Sequence, residues 1–408
     1  MHFLRIYFAF AAGYLLSYLY RTVNAVISPD LSRELGLNPS SLGLLTSAYF
    51  LAFAAMQIPV GILLDRYGPR RVEPVLLAVA ACGAALFAAS DTIAGLTVAR
   101  AVIGAGVCAC LMAPLKAIAA WYPADRQASY AGWIMVAGGV GALVATVPVE
   151  LALRVTNWRT MFFLLSAVTL VVAVFIYLRV PDIDKPAHSG GIEAQLAGVR
   201  DVVMHPRFWW IAPLGGLAMG SFMAIQGLWA VPWMMEVQGM SRAQAADYLL
   251  VMNAVIMVGY FAIGLFGTHL ARRGIHARHM FGTGFALNLA ALAAIELRLP
   301  GALLWWSLYG LGAASNVLGF TALNEGFPRA LTGRTNTALN LFMFGGSFAV
   351  QWGIGLVVDA ARVAYGLDTA GGLRVAFAAV SVCYALSFAW FLRGWKRYGR
   401  ILPATVPA

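Results

Sequence analysis

Apolar runs of about twenty residues recur from one end of this 408-residue chain to the other. Each is long enough to cross roughly 30 Å of hydrocarbon as an α-helix. In lipid no water satisfies an open backbone N–H or C=O, so such runs must be helices. Composition agrees: 61% of the residues are hydrophobic, 11% are charged and the mean hydropathy is +0.78, whereas a soluble domain carries about 25% charged residues.

Twelve spans are expected, at 5–27, 41–63, 72–90, 94–120, 128–151, 159–179, 207–235, 245–269, 278–297, 301–323, 334–359 and 371–393. The first is too long and too rich in tyrosine for a cleaved signal peptide, and no small-residue cleavage site follows it, so it is expected to be retained. The longest polar segment, 181–206, carries Pro181, Pro186, Ser189, Gly190 and Gly191 and separates six spans from six. The expected organisation is an all-α membrane protein of twelve transmembrane helices: a six-helix bundle over 1–180, a cytoplasmic linker over 181–206 and a second six-helix bundle over 207–408.

The net charge of +11 raises nucleic acid as a partner, but its placement argues against that. Arg66, Arg70, Arg71, Arg126, Lys185, Arg200, Arg207, Arg272, Arg273, Arg278, Arg329, Arg334, Arg393, Lys396, Arg397 and Arg400 all fall in loops of one parity. Loops of the other parity hold scattered arginines partly matched by Asp30, Glu34, Asp91, Asp359 and Asp368. This positive-inside pattern puts both termini in the cytoplasm of a cell with a bacterial-type inner (plasma) membrane.

Cys82, Cys108, Cys110 and Cys383 all lie in apolar runs and read as small packing residues rather than a disulfide framework. Met219 with Met223, and His276 with Met280, have metal-like spacing, but the two pairs sit at different depths and cannot converge. A carrier without cofactor or metal is expected, monomeric, with the lipid bilayer and a small anion as its partners. No hydrolase triad, P-loop or dinucleotide fingerprint appears, which disfavours an enzyme.

Arg21 stands two-thirds of the way along the first span, in LRIYFAFAAGYLLSYLYRTVNAVISPDL, with nothing acidic in the surrounding turns. A permanent cation at that depth costs at least about 2.5–3.5 kcal/mol on insertion scales, so it should face a protein interior or a wet cavity. Its planar fork suits carboxylate and phosphate. Tyr14, Ser17, Tyr18, Arg21 and Ala25 fall on one stripe of the helix. The alternative is a guanidinium that snorkels or binds a backbone carbonyl.

The two halves echo each other: WYPADRQASYAGWIMVAGGVGA (121–142) is similar to GFPRALTGRTNTALNLFMFGGS (326–347). Repeats of this kind put a substrate site between the halves near the bilayer midplane. GILLDRYGPRR (61–71) resembles the loop 2–3 signature of the major facilitator superfamily, with Gly61, Asp65, Arg66, Gly68, Arg70 and Arg71 in place. LTVARAVIGAG (96–106) resembles the span-4 signature, with Arg100, Gly104 and Gly106. The resemblance covers essentially the whole chain; in the second half GLFGTHLARRGIHARH keeps Gly264, Arg272 and Arg273 but has His269 where the acid is expected. The resemblance implies a gate built on Gly61, Asp65, Arg66, Arg70, Arg71 and Arg100. Physically, Asp65 at a helix end can pair with a neighbouring arginine and with a helix N-terminus of the other half. The alternative for these charges is ordinary topogenic signalling.

Within that superfamily, GYLLSYLYRTVNAVISPDL (13–31) is similar to span 1 of the organophosphate:phosphate antiporters and related organic-anion carriers, through Gly13, Tyr14, Tyr18, Arg21 and Asn24. The resemblance implies that Tyr14 and Tyr18 line the cavity and that Arg21 binds the anion. The chain departs from those antiporters at span 7, where Met223 stands near their second arginine with Gln226 the nearest polar group, and at span 2, where Gln57 replaces a lysine. One forked cation argues for a carboxylate, or a larger organic anion with neutral polar groups, over a divalent phosphate ester.

Further candidates for the substrate wall are Gln226 and Trp229, with Trp233 on the same stripe, and Asn316 and Asn340 beside glycines; Asn253, Asn288 and Gln351 are weighed equally as interhelical hydrogen-bonders. Trp305 and Trp306 are assigned to the interfacial belt. Lys116, about two turns before Pro123, either draws anions inward, takes over binding during the switch, or snorkels to inner headgroups. Every Asp and Glu maps to a loop or helix end, with Glu150, Glu236, Glu296 and Glu325 at rims. No carboxylate deep in the helices is evident, so either the substrate's own charge drives coupling, or Glu150 or Glu325 lies deeper and binds a coupling proton; facilitated diffusion and exchange both stay open.

The expected function is secondary active transport of a small organic anion, most simply a carboxylate, by alternating access as a symporter or antiporter. A proton-coupled exporter of drugs or metabolites is one alternative, since AGGVGALVATVP (137–148) partly matches the span-5 signature of such exporters. A non-transporting membrane sensor of the same fold is the other.

Overall fold

The computed structural model describes residues 2–122, 124–182, 192–328 and 331–398. Pro123, Lys185, Pro186, Ser189, Gly190, Gly191, Arg329 and Arg400 lie outside the described residues, as do the side chains of Arg126, Lys396 and Arg397. Among the described residues every regular element is a helix.

The first helix, α1 (His2–Leu35), continues two turns past the expected end of its span and carries Pro29 within it. Asn38 then caps α2 (Pro39–Ala55), its Oδ1 accepting from the Ser41 amide at 2.8 Å. α2 and α3 (Gln57–Tyr67) form one apolar path bent by 46° at Met56. Gly68, at φ +76°, makes the tight turn into α4 (Pro69–Ala89), a conformation that side chains with a Cβ rarely adopt. α5 (Ile93–Gly106) and α6 (Met112–Trp121) occupy the expected 94–120 span, but residues 107–111 between them are not helical. α7 (Ala124–Val144) and α8 (Val147–Val155) meet at a 41° bend, and α9 (Trp158–Arg179) ends the first half.

The segment read as a polar linker holds a helix of its own, α10 (Ile192–Met204). Its amphipathic stretch Leu196–Val203 was masked in the sequence by the glycine and proline run before it. α11 (Pro206–Ala224) passes through a π-helical turn, 225–229, into the short α12 (Ala230–Pro232) and a second π-helical turn, 233–237. α13 (Arg242–Arg272) starts on a capping box between Ser241 and Gln244. α14 (Ala277–Glu296), α15 (Ala302–Ala313), a 3₁₀ turn at 314–317, α16 (Leu318–Asn324), α17 (Thr332–Tyr365) and α18 (Thr369–Tyr398) complete the chain. Among the described residues six helices are long and apolar enough to cross a membrane, or eight if each bent pair is one crossing.

Packing within each half joins α4 to α5 and α9, α1 to α7, and α11 to α17. Between the halves, α2 lies along α17, α1 touches the π-turn 225–229, and α13 meets α7 and α8. Small residues permit these approaches: a Cβ on Gly104 would lie 2.2 Å from the Tyr49 carbonyl oxygen, so α5 rests backbone to backbone on α2. Outward surfaces are apolar, as Leu164, Val171, Leu178, Phe261 and Leu386 illustrate, which suits acyl chains. Trp306, assigned above to the interfacial belt, is instead fully buried, its indole donating to Gln238 at 3.3 Å.

α10 packs on α3, α11 and α17 and so marks one end of the molecule, here called the linker face; the opposite end is the far face. The two ends differ in how the halves meet. At the far face Arg242 forms a 2.7 Å ion pair with Asp30, and the Ser40 amide donates to Asp359 at 2.8 Å, both across the halves. At the linker face polar contacts stay within one half or with its linker: Asp65 with Lys116, Arg70 with Asp182 at 3.0 Å, and Arg278 with Glu325 at 3.5 Å.

Candidate functional site

Arg21 lies midway along α1 with 4% of its surface exposed. Its guanidinium carbon sits over three rings: Tyr18 at 4.6 Å, Phe53 at 5.3 Å and Phe344 at 5.4 Å. Phe53 comes from α2 and Phe344 from α17, and the two rings meet at 4.3 Å. The cation is therefore enclosed by both halves of the chain. The ion pairs among the described residues leave Arg21 without a carboxylate, and its Nε has no hydrogen-bond partner. Rings attract a cation by about 0.5–2 kcal/mol each. That does not replace the hydrogen bonds an arginine fork makes to an anion.

A scaffold of polar contacts fixes this position. The Tyr49 hydroxyl, beside the Arg21 guanidinium, donates to the Ser17 carbonyl at 3.2 Å. Arg100, 1% exposed, donates from Nη1 to the Tyr20 carbonyl at 2.9 Å and stacks on Tyr49 at 5.2 Å. Its role is thus to hold the backbone immediately before Arg21. Asn24, one turn on, donates to Thr46 at 3.0 Å, binding α1 to α2.

Tyr14 and Tyr18 stand edge to face at 5.1 Å on the Arg21 stripe. Gly138 of α7 lies against both rings; a Cβ there would be 2.5 Å from Tyr14. Tyr260 of α13 shares the electrostatic surroundings of Tyr18 and Arg21.

The amides expected on the wall divide into two groups. Gln57 and Asn340 come together: Asn340 Nδ2 donates to Gln57 Oε1 at 2.9 Å across the halves. Gln226, in the π-turn beside α1, donates to Asn253, which donates onward to the Ala142 carbonyl at 3.4 Å; the Gln226 Oε1 has no partner. A Cβ on neighbouring Gly227 would lie 3.3 Å from the Arg21 carbonyl oxygen, so this π-turn rests on the anchor itself. Trp229 donates to the Gln351 carbonyl at 2.9 Å and packs on Gly43 at the α2–α17 seam. Asn316 is buried in the 3₁₀ turn 314–317, with no contact that links it to Arg21.

Several expected residues lie elsewhere. Lys116 is not brought to Arg21; its ammonium is engaged by Asp65 at the linker face, each about a quarter exposed. Asp65 accordingly pairs with a lysine of its own half, not with an arginine or a helix of the other half. Gly61 is half-buried within α3, and Arg66 stacks on Tyr67 at 5.2 Å. Arg70 donates to the Tyr177 carbonyl at 3.1 Å, and both it and Arg71 reach Asp182. Glu150 is tied to Arg154 at 2.9 Å near the far face, and Glu325 to Arg278.

The reading that no carboxylate lies among the packed helices fails at Glu73. This residue is in the second turn of α4 and is 0% exposed, with neither carboxyl oxygen in a hydrogen bond of good geometry. In the expected span 72–90 it fell at the rim, but its carboxyl turns inward onto Gly13 of α1. Also missed were Tyr49, Phe53, Phe344 and Tyr260. An aromatic in an apolar helix carries no sequence signal that separates packing from a cation cage.

The family model described as Major Facilitator Superfamily matches residues 10–351. The hexuronate transporter of Escherichia coli (strain K12) is 30% identical over 258 residues, 58% of this chain and 58% of that protein. The chain thus matches less than two thirds of that relative's length. The galacturonate transporter of Dickeya chrysanthemi is 29% identical over 165 residues, 40% of this chain and 47% of that protein. Among solved structures, a bacterial homolog of the human lysosomal transporter Spinster, in an inward-facing and unoccupied conformation, superposes with TM-score 0.80 at 17% identity over 99% of both chains.

Proposed function

The chain belongs to the major facilitator superfamily, and from that premise we propose that it carries a small organic anion, a sugar acid of the hexuronate kind, across the membrane by alternating access. It is a multi-pass protein of the inner membrane. The observation that carries the reading is Arg21: a buried guanidinium, caged by rings from both halves, with no carboxylate of its own. Similarity to a hexuronate transporter and a galacturonate transporter supports a carboxylate bearing hydroxyls.

In this reading the substrate carboxylate takes a bidentate position on Arg21, and displaces the packing of Phe53 against Phe344. The amides of Gln57, Asn340 and Gln226 then receive the sugar hydroxyls, and Tyr14 and Tyr18 set the width of the slot. Amides suit this task because each offers both a donor and an acceptor.

The six-plus-six arrangement, with 1–180 and 207–408 moving against each other about the 181–206 linker, twelve crossings, a monomer and both termini in the cytoplasm, completes the proposal. The positive-inside distribution makes the linker face cytoplasmic. The Arg242–Asp30 and Ser40–Asp359 contacts then close the outer end. The seal must break and re-form at the Asp65 end for the opposite state. Substrate shifts that equilibrium only through unequal affinity for the two states.

A thermal-shift screen on purified protein with D-galacturonate, D-glucuronate, inorganic phosphate and a phosphate ester tests the reading, with Arg21→Ala as control. Stabilisation by the sugar acids in the unmutated protein alone supports it. Stabilisation that persists in Arg21→Ala, or that is given only by phosphates, overturns it.

A further inference from the structure

Glu73 is chemically out of place. It is fully buried, and neither of its oxygens is in a hydrogen bond of good geometry. A Cβ built on Gly13 would stand 2.6 Å from its Oε1, so α1 presses its backbone directly onto the carboxyl. Leu77 on its own helix and Ile176 of α9 reach the same glycine, at 3.6 and 3.5 Å from that Cβ. The polar group that faces the carboxyl is the Cys110 thiol, from the non-helical stretch 107–111. No other titratable or charged group faces it from α1 or α9 among the described residues; Arg70 and Arg71, nearer the start of α4, turn instead to Asp182.

An ionised carboxylate in such a place has no compensating charge and only the weak thiol donor of Cys110, so desolvation penalises it by several kcal/mol. The neutral acid suffers far less. The occupant therefore needs a proton to stay, and loses it only when the surroundings open to water. In those surroundings the helix of span 4 is interrupted at 107–111, the stretch that presents Cys110 to the carboxyl. Glu73 is also only one turn in from the start of α4, at the linker face, which gives the proton a short route to water.

α1 connects Glu73 to the anion anchor: Gly13, which rests on the Glu73 carboxyl, stands about two turns before Arg21 on the same helix. A negative guest on Arg21 would favour the uncharged form of Glu73, and a proton on Glu73 would favour the guest. Binding coupling of this sort is reciprocal.

From this arrangement we infer that Glu73 is a proton-binding site, and that its proton travels together with the anion bound at Arg21. The bond made is O–H on the Glu73 carboxyl; it is made on one side of the membrane and broken to water on the other. This inference rests on the reading of Arg21 as the anion anchor, so its test is arranged to separate the two.

Glu73→Gln copies the neutral acid in shape and polarity, and should fold as the wild type does. Two measurements are made on the intact protein. The first is infrared difference spectroscopy of purified protein between acid and alkaline buffer. The wild type should show the carbonyl band of a protonated carboxylic acid that disappears on alkalinisation, and Glu73→Gln should lack it. The second is galacturonate accumulation in proteoliposomes with an imposed proton gradient, against galacturonate counterflow without one. Glu73→Gln should lose the gradient-driven part and keep counterflow, whereas Arg21→Ala should lose both. No Glu73-dependent titrating band, or gradient-driven accumulation in Glu73→Gln equal to wild type, overturns the inference. Wild-type counterflow that persists without any gradient effect would sink the proton site and leave the transport reading standing. Failure of galacturonate to move at all would count against the transport reading, and the infrared band still decides the proton site.

Discussion

Asn340 of α17 and Gln57 of α3 join residues 283 apart in sequence by a 2.9 Å hydrogen bond across the two halves. It sits at the bend after Met56, where α2 stops running along α17 and α3 departs from it. The contact is thus the last polar tie between the halves before they separate toward the linker face.

Removing both partners of that tie should cost less than the sum of removing each alone. A single Gln57→Ala or Asn340→Ala leaves a buried amide unsatisfied, at about 1–3 kcal/mol. The double substitution should be less than additive, with a coupling of about 1 kcal/mol. Thermal unfolding in detergent of the four proteins measures it; strict additivity would deny the interaction.

Arg21→Lys should fold normally and lose most transport. A point charge cannot make the paired hydrogen bonds of the guanidinium, each worth about 1.5–3 kcal/mol to a charged partner. Sugar-acid affinity should fall by at least about tenfold. Wild-type uptake at wild-type protein level would remove Arg21 from the site.

Lys116→Ala should leave sugar-acid affinity nearly unchanged while altering the transport rate. The Lys116–Asp65 pair is partly exposed and worth at most about 1 kcal/mol, but it sits where the gate must re-form. Equilibrium binding and maximal uptake, measured separately, distinguish this from a direct contact; a large loss of affinity would return Lys116 to the substrate wall.

Asp30→Asn should loosen the far face by removing the charge that pairs with Arg242. Spin labels on Val155→Cys and Val363→Cys, each 88% exposed at the far ends of α8 and α17, read the opening in a background where Cys82 and Cys383 are replaced. The distance distribution should gain a longer component. An unchanged distribution would show that the seal does not depend on this pair.

Much of this was legible in the sequence, and the reason is the solvent. Lipid tolerates so few architectures that run length and loop charge suffice for the helical fold. The same intolerance made Arg21 conspicuous, since a cation in an apolar run demands a purpose. What was hidden was hidden physically. The breaks at 107–111 and in the π-turns cost no apolar character, so hydropathy passes over them. Phe53 and Phe344 look like any lipid-soluble ring until the helices bring them over a guanidinium. Lys116 and Asp65 are 51 residues apart, and nothing in either segment announces the pairing. Glu73 was obscured by its place as the second residue of the expected span 72–90, which made an inward-facing acid read as a rim charge.

Arg100 holds the Tyr20 carbonyl from within the first half, and Tyr49 is shared between the two guanidiniums. The anchor is therefore indexed to one half of the protein alone, whichever way the other half leans. A passenger would stay clasped to the same wall throughout the crossing, while the opposing wall arrives and withdraws. Asn340 and Gln226 belong to that arriving wall, so selectivity for one acid over another can be altered from α17 and the π-turn 225–229 without disturbing the grip.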